Sequence, residues 1–200
     1  KLSTLPERSG GKGPTGFSSA TTVLCELSVK TPALSVPTNV PAFVDTGFLP
    51  SQNFSLYGLE LAGTYGPILS QSEVHLMSVD QLADAPTLGF WGAYTQLSYL
   101  LTGEHHPYNK ANGVYTRPTP ENPFGRQGWG AWEVATRWST LDLTDHNVPG
   151  NQLQNWTFGL NWYLNRNTKF QFNYIRPLLD SAVSGNSTAN LWAVRGQVDY

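Results

Sequence analysis

Glu133 and Arg137 stand four residues apart in a run where Trp132, Val134, Thr136 and Trp138 fill the alternate positions. Alternation of this kind belongs to an extended strand, whose successive side chains point to opposite faces. The two charges therefore share one face, about 13 Å apart. At that distance they cannot act as acid and base on a common atom. On the wall of a water-filled passage they would set which ions it prefers. Alternatively, each pairs with a charge on a neighbouring strand and merely fills space. The same pattern places Glu26, Glu60, Glu73 and Asp199 on polar strand faces, with Lys30, Lys169 and Arg195 as the bases. Lys169 and Arg195 fall on adjacent strands of one hairpin and would make a local basic patch, which water screens.

The remaining reactive residue types suggest less. His105 and His106 are adjacent, whereas metal ligands would recur at i and i+2 on a strand or i and i+4 on a helix, so no metal is expected. Gly10-Gly11-Lys12-Gly13 has no strand before it and no Ser or Thr after the lysine, as a phosphate loop would need. Cys25 sits among Val23, Leu27 and Val29 and reads as a small apolar residue. No nucleophile is spaced against a base, so no enzyme and no cofactor is expected. A net charge of −2 lacks the cationic field that nucleic acid requires.

The elements that carry these residues are strands. From Trp156 the even positions are Trp156, Phe158, Leu160, Trp162 and Leu164, and Thr157, Gly159, Asn161 and Tyr163 lie between them. After a tight turn at Asn165-Arg166-Asn167, Phe170, Phe172 and Tyr174 alternate with Lys169, Gln171 and Asn173. The last run sets Trp192, Val194, Val198 and Tyr200 against Arg195, Gln197 and Asp199. Similar runs cover Thr21 to Lys30, Asn53 to Thr64, Ile68 to Val79, Thr87 to Thr102 and Trp129 to Leu143, for about eight strands in an antiparallel meander. Long loops are expected over residues 31–52, 103–128, 144–154 and 178–189, where prolines and glycines cluster. Residues 1–20 read as a flexible end or loop, and residues 21–200 as part of one domain. Lys1 to Leu5 lacks the apolar core of a signal peptide, and the chain lacks an initiator Met, so a processed or partial product is expected.

Only 13% of the 200 residues are charged and 40% are hydrophobic, with no apolar run long enough for a spanning helix. Two architectures fit. A soluble sandwich would bury the apolar faces in a core, and an outer-membrane barrel would turn them to lipid with the polar faces lining a lumen. The aromatic weight of the apolar faces suits the girdles of a barrel. So does the contrast between minimal turns at one end and long loops at the other. In a barrel, Trp138, Trp156, Phe158, Trp162, Phe170, Phe172, Trp192 and Tyr200 face lipid or a neighbouring subunit rather than stack on a ligand.

Four runs carry a resemblance: "LYGLELAGTYGP", "YTQLSYLLTGEHHPYNKANGVYTRPTPENPFG", "GWGAWEVATRWSTLDLTD" and "FGLNWYLNRNTKFQFNYIRPLLD". In order and spacing, from about Phe43 to Tyr200, they resemble the phosphate-selective porin O and P family of Gram-negative outer membranes. The resemblance implies the C-terminal half of an antiparallel transmembrane β-barrel of about sixteen strands. It also implies a homotrimer in outer-membrane lipid and a C-terminal strand read by the barrel-insertion machinery. The implied activity is passive diffusion of small hydrophilic solutes, anionic or neutral, with phosphate as the family's cargo. By position, Lys110, Arg117 and Arg126 resemble a basic segment at the periplasmic mouth that would draw anions, or they are solvated loop charges. The inward positions counted here, five acids and four bases, do not form the arginine ladder on which phosphate selectivity rests in that family. An alternative is a structural barrel that anchors surface partners through the loops at 31–52 and 178–189. The 103–128 stretch is expected on the side of the tight turns, where so long a connection is unusual, and folding back into the lumen would accommodate it.

Overall fold

A computed structural model describes residues 44–83, 85–111, 113–125, 128–181 and 185–199, and the backbone of 16–20. The chain is all β. Its strands are β1 (Gly16–Ala20), β2 (Asp45–Tyr65), β3 (Ile68–Gln81), β4 (Leu88–Leu100), β5 (Tyr108–Asn109), β6 (Val114–Tyr115), β7 (Ala131–Asp145), β8 (Val148–Tyr163), β9 (Thr168–Asp180), β10 (Ser187–Thr188) and β11 (Leu191–Val198). All but β5 and β6 join one antiparallel sheet in the order β1-β2-β3-β4-β7-β8-β9, with β10 and β11 both on β9. Each long strand pairs with its predecessor, the meander that hairpin connections allow. Among the described residues β11 pairs with β9 alone, so the sheet is open at that edge. The expected strand at Thr21 to Lys30 lies outside the described residues, and with it Glu26 and Lys30.

Several connections differ from expectation. Gly16–Ala20 forms β1, inside the stretch read as a flexible end. β2 begins at Asp45, inside the stretch read as loop, although it contains Pro50. The ladder to β3 shifts register between Ser51 and Asn53, and a proline is tolerated beside such a bulge because no regular amide pairing is lost. The loop expected over 144–154 is a tight hairpin at His146 and Asn147, with Pro149 paired opposite Thr144. Pro149-Gly150 marks a bulge there rather than a loop, because a Cβ on Gly150 would lie 2.0 Å from the Leu143 carbonyl oxygen. β9 runs to Asp180 and pairs with β10, which shortens the loop expected over 178–189.

The two faces of the sheet have inverted polarity relative to a sheet in water. Side chains on one face are apolar and exposed: Leu61 is 75% exposed, Trp192 81% and Val194 71%. Side chains on the opposite face are polar and buried: Glu133 is 4% exposed, Asn161 2% and Gln171 1%. Cross-strand register builds the apolar face in rows. Thr136, Phe158, Tyr174 and Trp192 form one, and Trp132, Trp162 and Phe170 another. Trp132 and Trp162 stack with centroids 5.0 Å apart, a pairing that adds to their area burial. Trp138, Trp156, Phe158, Trp162, Phe170, Phe172 and Trp192 all lie on this face by register, and Tyr200 lies outside the described residues.

The opposite face is not polar throughout. Towards the His146 hairpin it carries Val79, Leu88, Phe90, Leu143 and Leu153, which pack with Val44 and Leu49 at the start of β2. That apolar zone is absent from the alternation reading, because the chain that covers it comes from a distant strand. The polar zone lies towards the other end of the sheet, where the turns at Gly66-Pro67 and Asn165-Arg166-Asn167 are.

Candidate functional site

At that end the 103–128 segment leaves β4, folds onto the polar face and returns to β7. Pro107 fixes its entry. The Pro107 carbonyl accepts the Thr116 amide at 2.7 Å and the Thr116 hydroxyl at 3.1 Å, closing the loop that carries the β5-β6 hairpin. The Glu104 carboxylate accepts the Thr102 hydroxyl and, at 3.3 Å, the Glu121 amide, which pins the two limbs together. The Phe124 amide donates to the Leu164 carbonyl at 2.8 Å, so the segment crosses the rim of the sheet. There Phe124 meets the edge of Trp162 on the apolar face, with centroids 5.3 Å apart. Gly128 and Gly130 bring the chain back. A Cβ on Gly128 would lie 2.2 Å from the Asn122 carbonyl oxygen, and one on Gly130 2.2 Å from that of Tyr163, so only glycine lets the backbones pass.

The segment docks through one buried cluster. His106 Nε2 lies 2.9 Å from Glu133 Oε1. Glu133 Oε2 accepts the Asn161 amide at 2.9 Å and the Tyr163 hydroxyl at 2.7 Å. Gln171 donates to Asn161 Oδ1 at 3.2 Å, which carries the network to β9, where Gln171 stands opposite Arg195. A carboxylate taken out of water needs this many donors, and three side chains supply them. Arg117, from the same segment, reaches Asp199 Oδ2 at 2.6 Å and lies over the Tyr163 ring. A crevice remains between segment and wall, lined by Gln96, Ser98, His106, Arg117, Glu133 and Lys169. Arg117 Nε and Nη2 are buried without a hydrogen-bond partner.

A second row runs round the wall nearby. Gln71 donates to Glu60 at 2.9 Å and Gln96 to Gln71 at 3.2 Å, and Arg137 stands opposite Gln96. The Arg137 guanidinium lies 3.8 Å from the Tyr94 ring centroid, a cation–π contact. Arg137 and Glu133 thus share a face, as their spacing requires, but they belong to different networks. Glu73 pairs opposite Glu60 on one side and Tyr94 on the other, and it lies 3.0 Å from His75. Lys169 and Arg195 occupy the same face in diagonal register. Lys110 is exposed in the β5-β6 turn, and Arg117 follows β6. Arg126 lies outside the described residues. Among those described, no cluster of three metal-ligating side chains occurs.

His106 is the member of this buried cluster that spacing alone does not reveal. Its adjacency to His105 does not fit the spacing of metal ligands. Its partner Glu133 is 27 positions away on a strand, and no local pattern signals that contact. Asn161 and Tyr163 do sit on the polar face by alternation, but their role as donors to Glu133 appears only in the register.

Comparison with known proteins agrees with this architecture. The family model described as phosphate-selective porin O and P matches residues 38–200. An uncharacterised protein of Caulobacter vibrioides is 31% identical over 131 residues, 66% of this chain and 26% of that protein. Porin O of Pseudomonas aeruginosa is 30% identical over 145 residues, 66% of this chain and 32% of that protein. The chain thus spans roughly a quarter to a third of the curated relatives it matches. With the family model covering most of its length, the chain belongs to the phosphate-selective porin O and P family.

Proposed function

We propose that this chain is the C-terminal part of an outer-membrane porin barrel, through which small hydrophilic solutes diffuse along the polar face. The inverted polarity of the sheet carries the reading: an exposed apolar face suits lipid, and a buried polar face suits a narrow wet lumen. The described sheet would continue into strands outside it and close into a barrel of about sixteen strands. Further copies would assemble with it as a homotrimer. The C-terminal strand would be the part read by the insertion machinery. Glu60, Glu73, Glu133, Arg137, Lys169, Arg195 and Asp199 would line the passage. The 103–128 segment would narrow it.

Anions such as phosphate are the preferred solutes in this reading. The wall alone is nearly balanced in charge, and the folded-in segment brings Lys110 and Arg117 together with Glu104 and Glu121, so the preference would rest on Arg117, which lines the crevice between segment and wall. Asp199 is engaged by Arg117, and Glu133 by three donors. The test is the reversal potential of the full-length protein in a planar bilayer under a potassium chloride gradient. An anion-selective value, with phosphate reducing chloride current, is expected. A value near zero or cation-selective would leave a porin without phosphate preference.

A further inference from the structure

The "LTGEHHPY" run is among those that carry the family resemblance, and passive diffusion by itself assigns it nothing. The structure shows what its second histidine does. His106 Nε2 faces a Glu133 carboxylate oxygen at 2.9 Å, and His106 Nδ1 faces the Thr116 carbonyl oxygen at 3.3 Å. Both partners are acceptors only. A neutral imidazole has one N–H and one lone pair, so it satisfies one of them and turns its lone pair on the other. The imidazolium, with two N–H groups, satisfies both. Both residues of the pair are about 4% exposed, so water does not substitute for the lost bond.

We propose that the His106–Glu133 pair is a proton-dependent latch that positions the 103–128 segment against the polar wall, narrowing the passage while both His106 nitrogens carry protons and widening it when one is lost. The proposal rests on the porin reading above and adds regulation to it. Thr116 closes the loop on Pro107, so Nδ1 ties the ring to the segment and Nε2 ties it to β7. His106 is itself part of the segment, so loss of one proton costs either the Glu133 bond or the Thr116 bond that orients the ring, and it removes the positive charge opposite the buried Glu133 carboxylate, which weakens the tie to β7. Ionisable groups face the ring from several of the elements packed against it. Glu133 comes from β7 and Tyr163 from β8. Lys169 comes from β9, and Arg117 and Glu104 from the segment itself. β4 contributes only the uncharged Gln96 and Ser98. The adjacent His105 is exposed and serves as an internal control.

The latch is tested on the full-length protein by single-channel conductance between about pH 5 and pH 8, the range in which histidine changes charge. Conductance is expected to rise with pH in the wild type and in His105→Gln. In His106→Gln the pH dependence is expected to be lost, because an amide keeps one donor to Glu133 but does not titrate. A flat wild-type profile overturns the latch, and so does a His106→Gln protein that keeps the wild-type slope. Hydrogen exchange of the Thr116 amide and of the Gly113 amide, which donates to the Asn109 carbonyl at 2.8 Å, corrected for the chemical rate, gives a second readout that needs no current. The latch expects faster exchange at the higher pH in wild type and no difference in His106→Gln. Equal exchange at both pH values in wild type overturns it. No conductance at any pH would contradict the porin reading, and the exchange result would then decide the latch separately.

Discussion

Glu133 is the residue on which most of the site depends. Its carboxylate is buried at the meeting point of β7, β8 and the 103–128 segment, and it receives His106, Asn161 and Tyr163. Removing it leaves a buried imidazole, amide and hydroxyl without their acceptor. Breaking a buried, hydrogen-bonded ionic cluster by deleting one member costs about 3–5 kcal/mol. Glu133→Ala should therefore lower the urea midpoint of the full-length protein refolded into lipid. Tyr163→Phe, which removes one donor and leaves the charge compensated, should cost about 1 kcal/mol. Equal effects of the two would contradict the central place given to the carboxylate. Residue-scale chemistry was half legible in the sequence. Alternation puts Glu133, Asn161, Tyr163, Lys169 and Gln171 on one face, since a strand has a period of two and leaves no freedom in that choice. It cannot say which of them touch, because contact depends on register and on a segment from elsewhere in the chain.

At the scale of elements, the 103–128 segment is held at three places: His106 to the wall, Arg117 to Asp199, and Phe124 over the rim. Gly128 and Gly130 decide whether it can return to β7 at all. Gly130 has a φ of 74° and its amide donates to the Asn122 carbonyl at 3.0 Å. Gly130→Ala adds both a left-handed strain and a Cβ against the Tyr163 backbone. The expected outcome is release of the segment with the sheet still formed. Proteolysis of the refolded protein should cut within 103–128 while the strands stay protected, whereas Gly47→Ala, with open space around its Cβ, should leave the segment resistant. Cutting that spreads through the strands would show that the segment is no separate element. Elements were legible where side chains alternate cleanly, as in β3, β8 and β9. They were misjudged at Pro50 and at Pro149-Gly150, where residues that usually end a strand instead occupy bulges within one. The sequence shows the proline but not the register shift that accommodates it.

For the whole molecule, the arrangement of polarity matters more than the number of strands. The face with Leu61, Tyr65, Trp192 and Val194 is open, and the face with Glu133 and Gln171 is covered. A sheet in water would reverse this, since exposing so wide an apolar surface is unfavourable unless lipid or another apolar partner meets it. Composition already pointed this way, through few charges and many aromatics. It could not show that one end of the covered face is apolar, because that zone forms only when Val44 and Leu49 pack across from the start of β2. The most direct test of the account uses two successive residues of β3 that point to opposite faces, Glu73 and Val74. Glu73→Cys and Val74→Cys are made separately in a Cys25→Ser background, and the full-length protein in membranes is treated with a membrane-impermeant, water-soluble maleimide. The account predicts rapid labelling of Glu73→Cys and little labelling of Val74→Cys. Labelling of Val74→Cys with protection of Glu73→Cys would mean that the apolar face meets water, and the assignment of lumen and lipid would be wrong.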